Sequence, residues 1–372
     1  MEPLFLFGTL QHRPLLEAVI GAFGHLTLTP AVLPGFAVSS AAEGPFPVIE
    51  AEDAAQAPGL VVEGLTRDDM ARLDFYEGAF DYTLHPVTLA NGHAAQAYFP
   101  PRGQWTAGGK WSLEEWVSNW APLSILAAKE VMGYMGRKTP REIGGMFPMI
   151  RARAWSHLNA QQSRHGNGTL SGKVEVARRD RAYANYFAVD EYCLRHERFD
   201  GALSEELSRA VFIAADVALV LPYDPYRDRV LLVEQMRMGP LARGDAHLWQ
   251  FEPIAGRLDP GETPQEAARR EAREEAGLAL GVLEPVAETY CSPGTSSEFY
   301  YVYVGLADLP DSVAGTGGLE DEHEDIRSHL KSFDDLMEMC GTLQIANAPL
   351  TMTTYWLAHH RQRLRAEAGA SG

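Results

Sequence analysis

Three glutamates are spaced so that their carboxylates share one face of a helix. Glu271, Glu274 and Glu275 stand at positions i, i+3 and i+4 in a run rich in alanine and arginine. Like charges placed this way destabilise a helix by roughly 0.2–0.5 kcal/mol per pair, so something should offset their repulsion. Hard divalent cations prefer oxygen ligands, and Mg²⁺ binds through a few carboxylates together with phosphate oxygens. The spacing therefore suits a Mg²⁺ site for a phosphate compound, as one of two interpretations.

The neighbouring arginines offer a simpler interpretation of the same run. Arg269, Arg270 and Arg273 could pair with the glutamates and form a solvated, salt-bridged face. Taken alone, a run of Glu and Arg usually has that meaning. Residues outside the run are needed to separate the two interpretations.

Local signals place the three carboxylates on one helix that follows a loop. The loop covers residues 256–262, and Thr263 with Glu266 forms a capping box in which Pro264 takes the first helical position. Gly277 supplies a helix end. The sequence predicts a helix from Pro264 to Ala276.

The complete spacing is similar to the Nudix box. Gly256, Glu262 and the run Arg270-Glu-Ala-Arg-Glu-Glu-Ala-Gly-Leu278 occupy its fixed positions, with Ala272 where many members carry a bulkier aliphatic residue. That family hydrolyses nucleoside diphosphates linked to another group. The resemblance implies Mg²⁺, or Mn²⁺ in its place, clamping the pyrophosphate and activating a water, and a carboxylate outside the helix taking that water's proton.

The flanking sequence resembles the bacterial ADP-ribose pyrophosphatases over about residues 185–365. Pro293 falls 15 residues beyond the box, where that branch characteristically has a proline. The resemblance implies hydrolysis of ADP-ribose to AMP and ribose 5-phosphate. It also implies a homodimer with an exchanged N-terminal sheet, in which residues 185–225 serve the partner subunit. The matching runs are 195–201, 217–225, 232–237, 252–256, 292–294 and 322–327.

The resemblance assigns roles position by position. The implied metal ligands are Glu271, Glu275, Glu324 and the carbonyl of Ala255, with Glu274 as a secondary ligand. The implied general base is Glu322. In isolation, the acidic stretch around it would be interpreted as a solvated loop. Arg237 and Arg209 would meet the substrate's phosphates or ribose, and Glu252 would contact its adenine side. For Arg209, a surface salt bridge is an equal alternative.

The beginning of the chain resembles the γ-glutamylcyclotransferase-like (AIG2-like) fold. The runs that carry this resemblance are 4–10, 59–64 and 73–78. It implies that the backbone N–H groups of Gly8, Thr9 and Leu10 hold a substrate carboxylate. It also implies that Glu77 moves protons while the α-amine closes onto the γ-carbonyl to give 5-oxoproline. Phe7 replaces the usual tyrosine, which leaves a binding or dimer-packing domain as the alternative.

The remaining pattern predicts a mixed chain of class α+β or α/β. Strands are expected at 4–7, 59–64, 212–221, 230–233 and 299–305, with a turn at 222–228. Helices are expected at 68–76, with Thr66 as the N-cap, and at 350–365. Residues 111–162 are expected to be mostly helical, with capping boxes that begin at Ser112 and Thr139. The predicted domains are a small γ-glutamylcyclotransferase-like barrel (1–105) and a helical connector with a linker (106–172). A Nudix α/β/α sandwich with an additional N-terminal β-sheet (173–366) and a flexible tail (367–372) follow.

Charge and composition limit the partners. The 50 acidic residues outnumber the 32 basic ones and give a net charge of −18, which disfavours nucleic acid and anionic membrane. The partner that the Nudix resemblance implies is a small nucleoside diphosphate. Three scattered cysteines, the lack of a basic leader and the lack of a long apolar run favour a cytoplasmic protein.

The sequence is compatible with other functions as well. The nearest is a Nudix enzyme for a nucleotide sugar or a dinucleotide, and another is a domain that only senses ADP-ribose. Sensors usually lose helix glutamates, whereas this chain keeps all of them. Chains of this layout also resemble bacterial proteins labelled as tellurite-resistance determinants, a phenotype without a mechanism.

Overall fold

The chain divides into two compact units, Met1–Arg164 and His165–Gly372. The computed structural model describes residues 2–21, 23–162, 171–317 and 325–369. Each unit contains both helices and strands, which confirms the mixed fold class. Within these ranges, none of the helices combines the length and the apolar character needed to cross a membrane.

The first unit is built on a six-stranded sheet in the order β4-β5-β1-β3-β2-β6. The short strand β1 lies inside the sheet, antiparallel to β3 and parallel to β5, and its three side chains are buried. The predicted strands at 4–7 and 59–64 are confirmed as β1 and the end of β3. The strands are β1 (Leu4–Leu6), β2 (Thr27–Ala41), β3 (Pro47–Glu63), β4 (Thr83–Thr88), β5 (Ala94–Phe99) and β6 (Ala107–Lys110).

Four helices complete the first unit: α1 (Arg13–Ile20), α2 (Arg67–Gly78), α3 (Leu113–Met132) and α4 (Pro140–Gln162). The predicted N-caps are confirmed. The Thr66 hydroxyl accepts a hydrogen bond from the backbone N–H of Asp69, and the Ser112 hydroxyl accepts one from that of Glu115. Most of the predicted linker, at 163–170, lies outside the described residues.

Helix α4 packs very closely on the end of α2. A Cβ added to Gly144 would lie 2.5 Å from the carbonyl oxygen of Ala79, closer than real side chains come. The other side of α4 is tied to α3 by a largely buried ion pair, in which Arg153 Nη2 lies 2.6 Å from Glu130 Oε1. The two helices are therefore part of the first unit's packing.

The second unit holds two sheets among its described residues. The smaller has the order β7-β8-β9, and the larger follows the path β14-β15-β10-β11-β17-β16, with β12 on β11 and β13 on β10. The strands are β7 (Val174–Ala184), β8 (Ala188–His196), β9 (Leu207–Ile213), β10 (Asp216–Asp224), β11 (Arg229–Met236), β12 (Trp249–Glu252), β13 (Ile254–Arg257), β14 (Leu283–Tyr290), β15 (Phe299–Leu306), β16 (Gly315–Gly317) and β17 (Ile326–Ser332).

The predicted single strand at 212–221 is wrong. The apolar run spans two strands in different sheets, since β9 ends at Ile213 and β10 begins at Asp216. Between them the backbone N–H of Ala214 donates to Ser297 Oγ over 3.0 Å, a contact from a distant loop. The predicted turn also begins later, because β10 continues to Asp224, whose carboxylate accepts the backbone N–H of Tyr226.

The helices of the second unit are α5 (Met238–Arg243), α6 (Pro264–Ala276), α7 (Phe333–Gly341) and α8 (Ala348–Glu367). The bounds predicted for α6 are confirmed, together with its reciprocal capping box and a left-handed Gly277 at φ 62°. The predicted terminal helix is confirmed as α8. Helices α5 and α7 were not predicted.

Candidate functional site

Helix α6 presents its carboxylates beside the larger sheet of the second unit. It lies against β10 and β13, and the small side chains of Ala267, Ala268 and Ala272 are fully buried. The small side chain of Ala272 therefore lets α6 lie close to the sheet. Glu275 is only 2% exposed, whereas Glu274 remains partly accessible.

The carboxylate of Glu271 lies directly over the backbone of Gly256. A Cβ at this position would overlap the carboxyl group and Cγ of Glu271. Only glycine leaves room for the side chain, so the first residue of the motif fixes the position of a carboxylate fifteen residues later. The carbonyl of Ala255, on the same strand β13, is adjacent in sequence to this contact.

One arginine, Arg270, connects three carboxylates of the motif. Its Nε donates to Glu262 Oε1 over 2.8 Å, and its Nη1 donates to Glu271 Oε1 and Glu274 Oε2 over 2.6 and 2.9 Å. Burial acts to raise the pKa of Glu262, but hydrogen bonds from Arg270 and from the backbone of Asp259 hold it below its ordinary value. These contacts reduce the repulsion predicted for the carboxylate face. The salt-bridged interpretation is thus correct for Arg270, and sequence reasoning missed its central place.

The donors present on α6 and β13 are suited to a hard divalent cation. Glu271 reaches the strand that carries the Ala255 carbonyl, and Glu274 and Glu275 follow on the same helix. All of these donors are oxygens, the ligand type that Mg²⁺ and Mn²⁺ prefer. Within the described ranges, no three His, Cys, Asp or Glu side chains converge as a finished metal cluster. The predicted ligand Glu324 and the predicted base Glu322 lie outside those ranges.

Two of the residues predicted to contact substrate form an ion pair. Arg237 Nη2 lies 2.6 Å from Glu252 Oε2, and the other carboxylate oxygen of Glu252 accepts Asn347 Nδ2 at 3.1 Å. Arg209 is on β9 in the smaller sheet, where it is exposed and donates to the carbonyl of Ser208. The described contacts do not bring Arg209 to α6.

The first unit encloses a separate cavity with a volume of about 310 Å³. The four predicted residues Gly8, Thr9, Leu10 and Glu77 all line it. Burial raises the pKa of Glu77 to about 8, although the cavity leaves the side chain partly accessible. At neutral pH this carboxyl group is mostly protonated, so it can donate a proton there and accept one above pH 8.

Several cavity residues were missed because they are distant in sequence from the glycine turn. Tyr82 and Tyr98 keep hydroxyl groups at a wall where Phe7 has none. Burial raises the pKa of both, so they remain neutral hydrogen-bonding groups. Trp116, one of three regularly spaced tryptophans, is buried and belongs to the same wall. Only the tertiary structure brings Trp116 to the cavity.

Comparisons with known families agree with both halves of this arrangement. The NUDIX domain model matches residues 214–352, and the model for "Gamma-glutamyl cyclotransferase, AIG2-like" matches residues 4–117.

Known relatives each match about half of the chain. The sequence is 38% identical over 194 residues to the ADP-ribose pyrophosphatase of Escherichia coli (strain K12), which spans 52% of this chain and 92% of that protein. It is 30% identical over 186 residues to the ADP-ribose pyrophosphatase of Haemophilus influenzae. That match covers 50% of this chain and 85% of that protein. It is 29% identical over 189 residues to the GDP-mannose pyrophosphatase of Enterobacter sp. (strain 638). That match covers 50% of this chain and 96% of that protein.

Proposed function

Since this chain belongs to the Nudix family of hydrolases, we propose that it hydrolyses the pyrophosphate of ADP-ribose to AMP and ribose 5-phosphate. The observation that carries the proposal is the intact carboxylate face of α6, with Glu271 seated on Gly256. The similarity to ADP-ribose pyrophosphatases across most of their length supports this choice of substrate.

We assign the site as follows. Glu271, Glu275, Glu324 and the Ala255 carbonyl would hold a divalent cation, Mg²⁺ or Mn²⁺, with Glu274 as a secondary ligand. When bound, the cation would neutralise pyrophosphate charge and acidify a water. Glu322 takes the proton of the attacking water.

Positive charge for the substrate comes from side chains as well. Arg237 contacts the phosphates or ribose while Glu252, its ion-pair partner, contacts the adenine side. Arg209 contributes from the smaller sheet. Arginine suits this role because its fork of donors matches phosphate oxygens. The strongly negative protein needs such local cations to admit an anionic substrate.

The nearest alternative is a nucleotide sugar, and the GDP-mannose pyrophosphatase relative is the observation that favours it. The test is to incubate the full chain with Mg²⁺ and either ADP-ribose or GDP-mannose and to separate the products by chromatography. We expect AMP from ADP-ribose to form at least about tenfold faster than GMP from GDP-mannose, a difference of about 1.4 kcal/mol in the barrier. Preference for GDP-mannose, or binding of ADP-ribose without AMP, would contradict the assignment.

We also propose a homodimer formed through the smaller sheet of the second unit. Large apolar side chains are exposed on this sheet and its turns, and such patches mark association surfaces. They include Val174, Val176, Tyr183, Tyr186, Phe187, Phe199, Leu203 and Phe212.

Light scattering on the protein as it elutes from a size-exclusion column should give twice the chain mass of 40.9 kDa. Val176→Asp should shift the measured mass toward that of the monomer, because a charged side chain on this face is costly to bury in an apolar interface. The matched control is Val282→Asp, since Val282 is 59% exposed before β14 and away from this sheet. A monomeric wild-type protein would overturn the dimer.

A second candidate function belongs to the cavity of the first unit. Glu77 and the Gly8 turn meet there, which favours proton transfer on a γ-glutamyl compound. Release of 5-oxoproline from a γ-glutamyl dipeptide by wild type, and its loss in Glu77→Gln, would support this activity. No release from wild type would leave a binding domain in its place.

A further inference from the structure

The cavity of the first unit is closed in part by helices beyond the segment that matches the cyclotransferase model. That segment ends at residue 117, whereas Ser124 on α3 and Phe147 and Arg151 on α4 also line the cavity. Phe147 packs edge-on against Phe80, with ring centroids 4.7 Å apart. Helix α4 therefore contributes side chains that shape the cavity, and one of them is charged.

The inner wall of the cavity, away from its rim, carries a positive charge at neutral pH. Arg151 is the sole cation among the residues that line it, and the acidic lining residues are Glu43 and Glu77. Glu43 is exposed at the rim, where its carboxylate accepts the backbone N–H of Thr106 over 2.9 and 3.1 Å. Glu77 is mostly protonated because burial raises its pKa to about 8. The inner wall thus favours an anion.

The surroundings of Arg151 indicate which anion. Its guanidinium carbon lies 5.8 Å from the ring centroid of Trp120, which helps to position the side chain. Guanidinium pairs well with a planar carboxylate through two parallel hydrogen bonds. A phosphate dianion would require further cations, and the residues lining this cavity provide none. Most of the other lining side chains are apolar or aromatic.

We propose that this cavity binds a small molecule that has an apolar body and a free carboxylate, and that Arg151 selects it by pairing with the carboxylate. The neutral Glu77 carboxyl can donate a hydrogen bond to a carbonyl oxygen of the same molecule. The inference concerns binding alone. It is independent of turnover in this cavity and of pyrophosphate hydrolysis in the second unit.

The test is isothermal titration calorimetry of the full chain at pH 7 with two probes of the same shape. N-acetylphenylalanine carries a carboxylate, and N-acetylphenylalaninamide replaces it with a neutral amide. The carboxylate can form charge-assisted hydrogen bonds with Arg151 that the neutral amide cannot, so we expect the acid to bind at least about tenfold more tightly than the amide. Arg151→Met should remove most of this preference, and Arg151→Lys should keep part of it.

The matched control is Arg141→Met, because Arg141 is exposed in the first turn of the same helix α4. It should keep the wild-type preference. Thermal unfolding of each variant separates lost pairing from lost folding, and the comparison of the two probes on wild type needs no variant. Equal binding of acid and amide, an unchanged preference in Arg151→Met, or no saturable binding of the acid to wild type would each overturn the proposal.

Discussion

Replacing Glu275 with Gln is expected to reduce ADP-ribose hydrolysis by more than about a hundredfold, because the substitution removes one negative charge from the cation-binding face. The side chain keeps its size, and Glu275 is only 2% exposed, so the helix should keep its packing. The measurement is the rate of AMP release at saturating ADP-ribose and Mg²⁺, with thermal unfolding recorded for the same samples.

The matched control is Glu266→Gln on the same helix. Glu266 serves the capping box, in which its carboxylate accepts the backbone N–H of Thr263 over 2.8 Å. Glutamine can fill that position as well, so the variant should hydrolyse ADP-ribose at nearly the wild-type rate. If Glu275→Gln and Glu266→Gln had similar activities, the role assigned to Glu275 would be wrong.

Gly256→Ala is expected to cause a comparable loss of activity through a different physical route. The added methyl group would occupy the space that the Glu271 carboxylate fills, so that the side chain must move away from β13. Forcing an extra methyl group into a packed site costs about 1–3 kcal/mol of stability. Both the rate of AMP release and the thermal midpoint should fall.

Two further variants separate displacement of Glu271 from a general effect of alanine. Gly341→Ala adds a methyl group where nothing lies within 4 Å, so its activity and stability should match wild type. Combining Gly256→Ala with Glu271→Asp shortens the displaced side chain and should recover stability without recovering activity. A Gly256→Ala protein with full activity would show that Glu271 does not need its position over the strand.

The helix with the carboxylates could be predicted because its signals are local. Thr263, Pro264 and Gly277 mark its ends within the run itself. The change of sheet at Ala214 could not be predicted, since a hydrogen bond from Ser297 holds it and the apolar run continues through it. Local patterning cannot distinguish one buried strand from two in different sheets.

The site residues also divide into those that local sequence predicts and those that only the tertiary structure reveals. Glu271 and Glu275 were found from spacing, because one helical period brings them together. The role of Arg270 required side-chain geometry, since it contacts Glu262 eight residues away in the preceding loop. Arg151 follows the glycine turn by more than a hundred residues, and only the packing of α4 brings it to that cavity.

The close approach of Gly144 to Ala79 links the position of α4 to the environment of Glu77. Helices α3 and α4 follow the sheet in sequence, yet α4 covers the end of α2 that carries Glu77. Local opening of α4 would therefore expose the apolar wall and hydrate the Glu77 carboxyl in one event. Because burial raises the pKa of Glu77, the opening of α4 and the protonation of this carboxyl group are coupled to the same equilibrium.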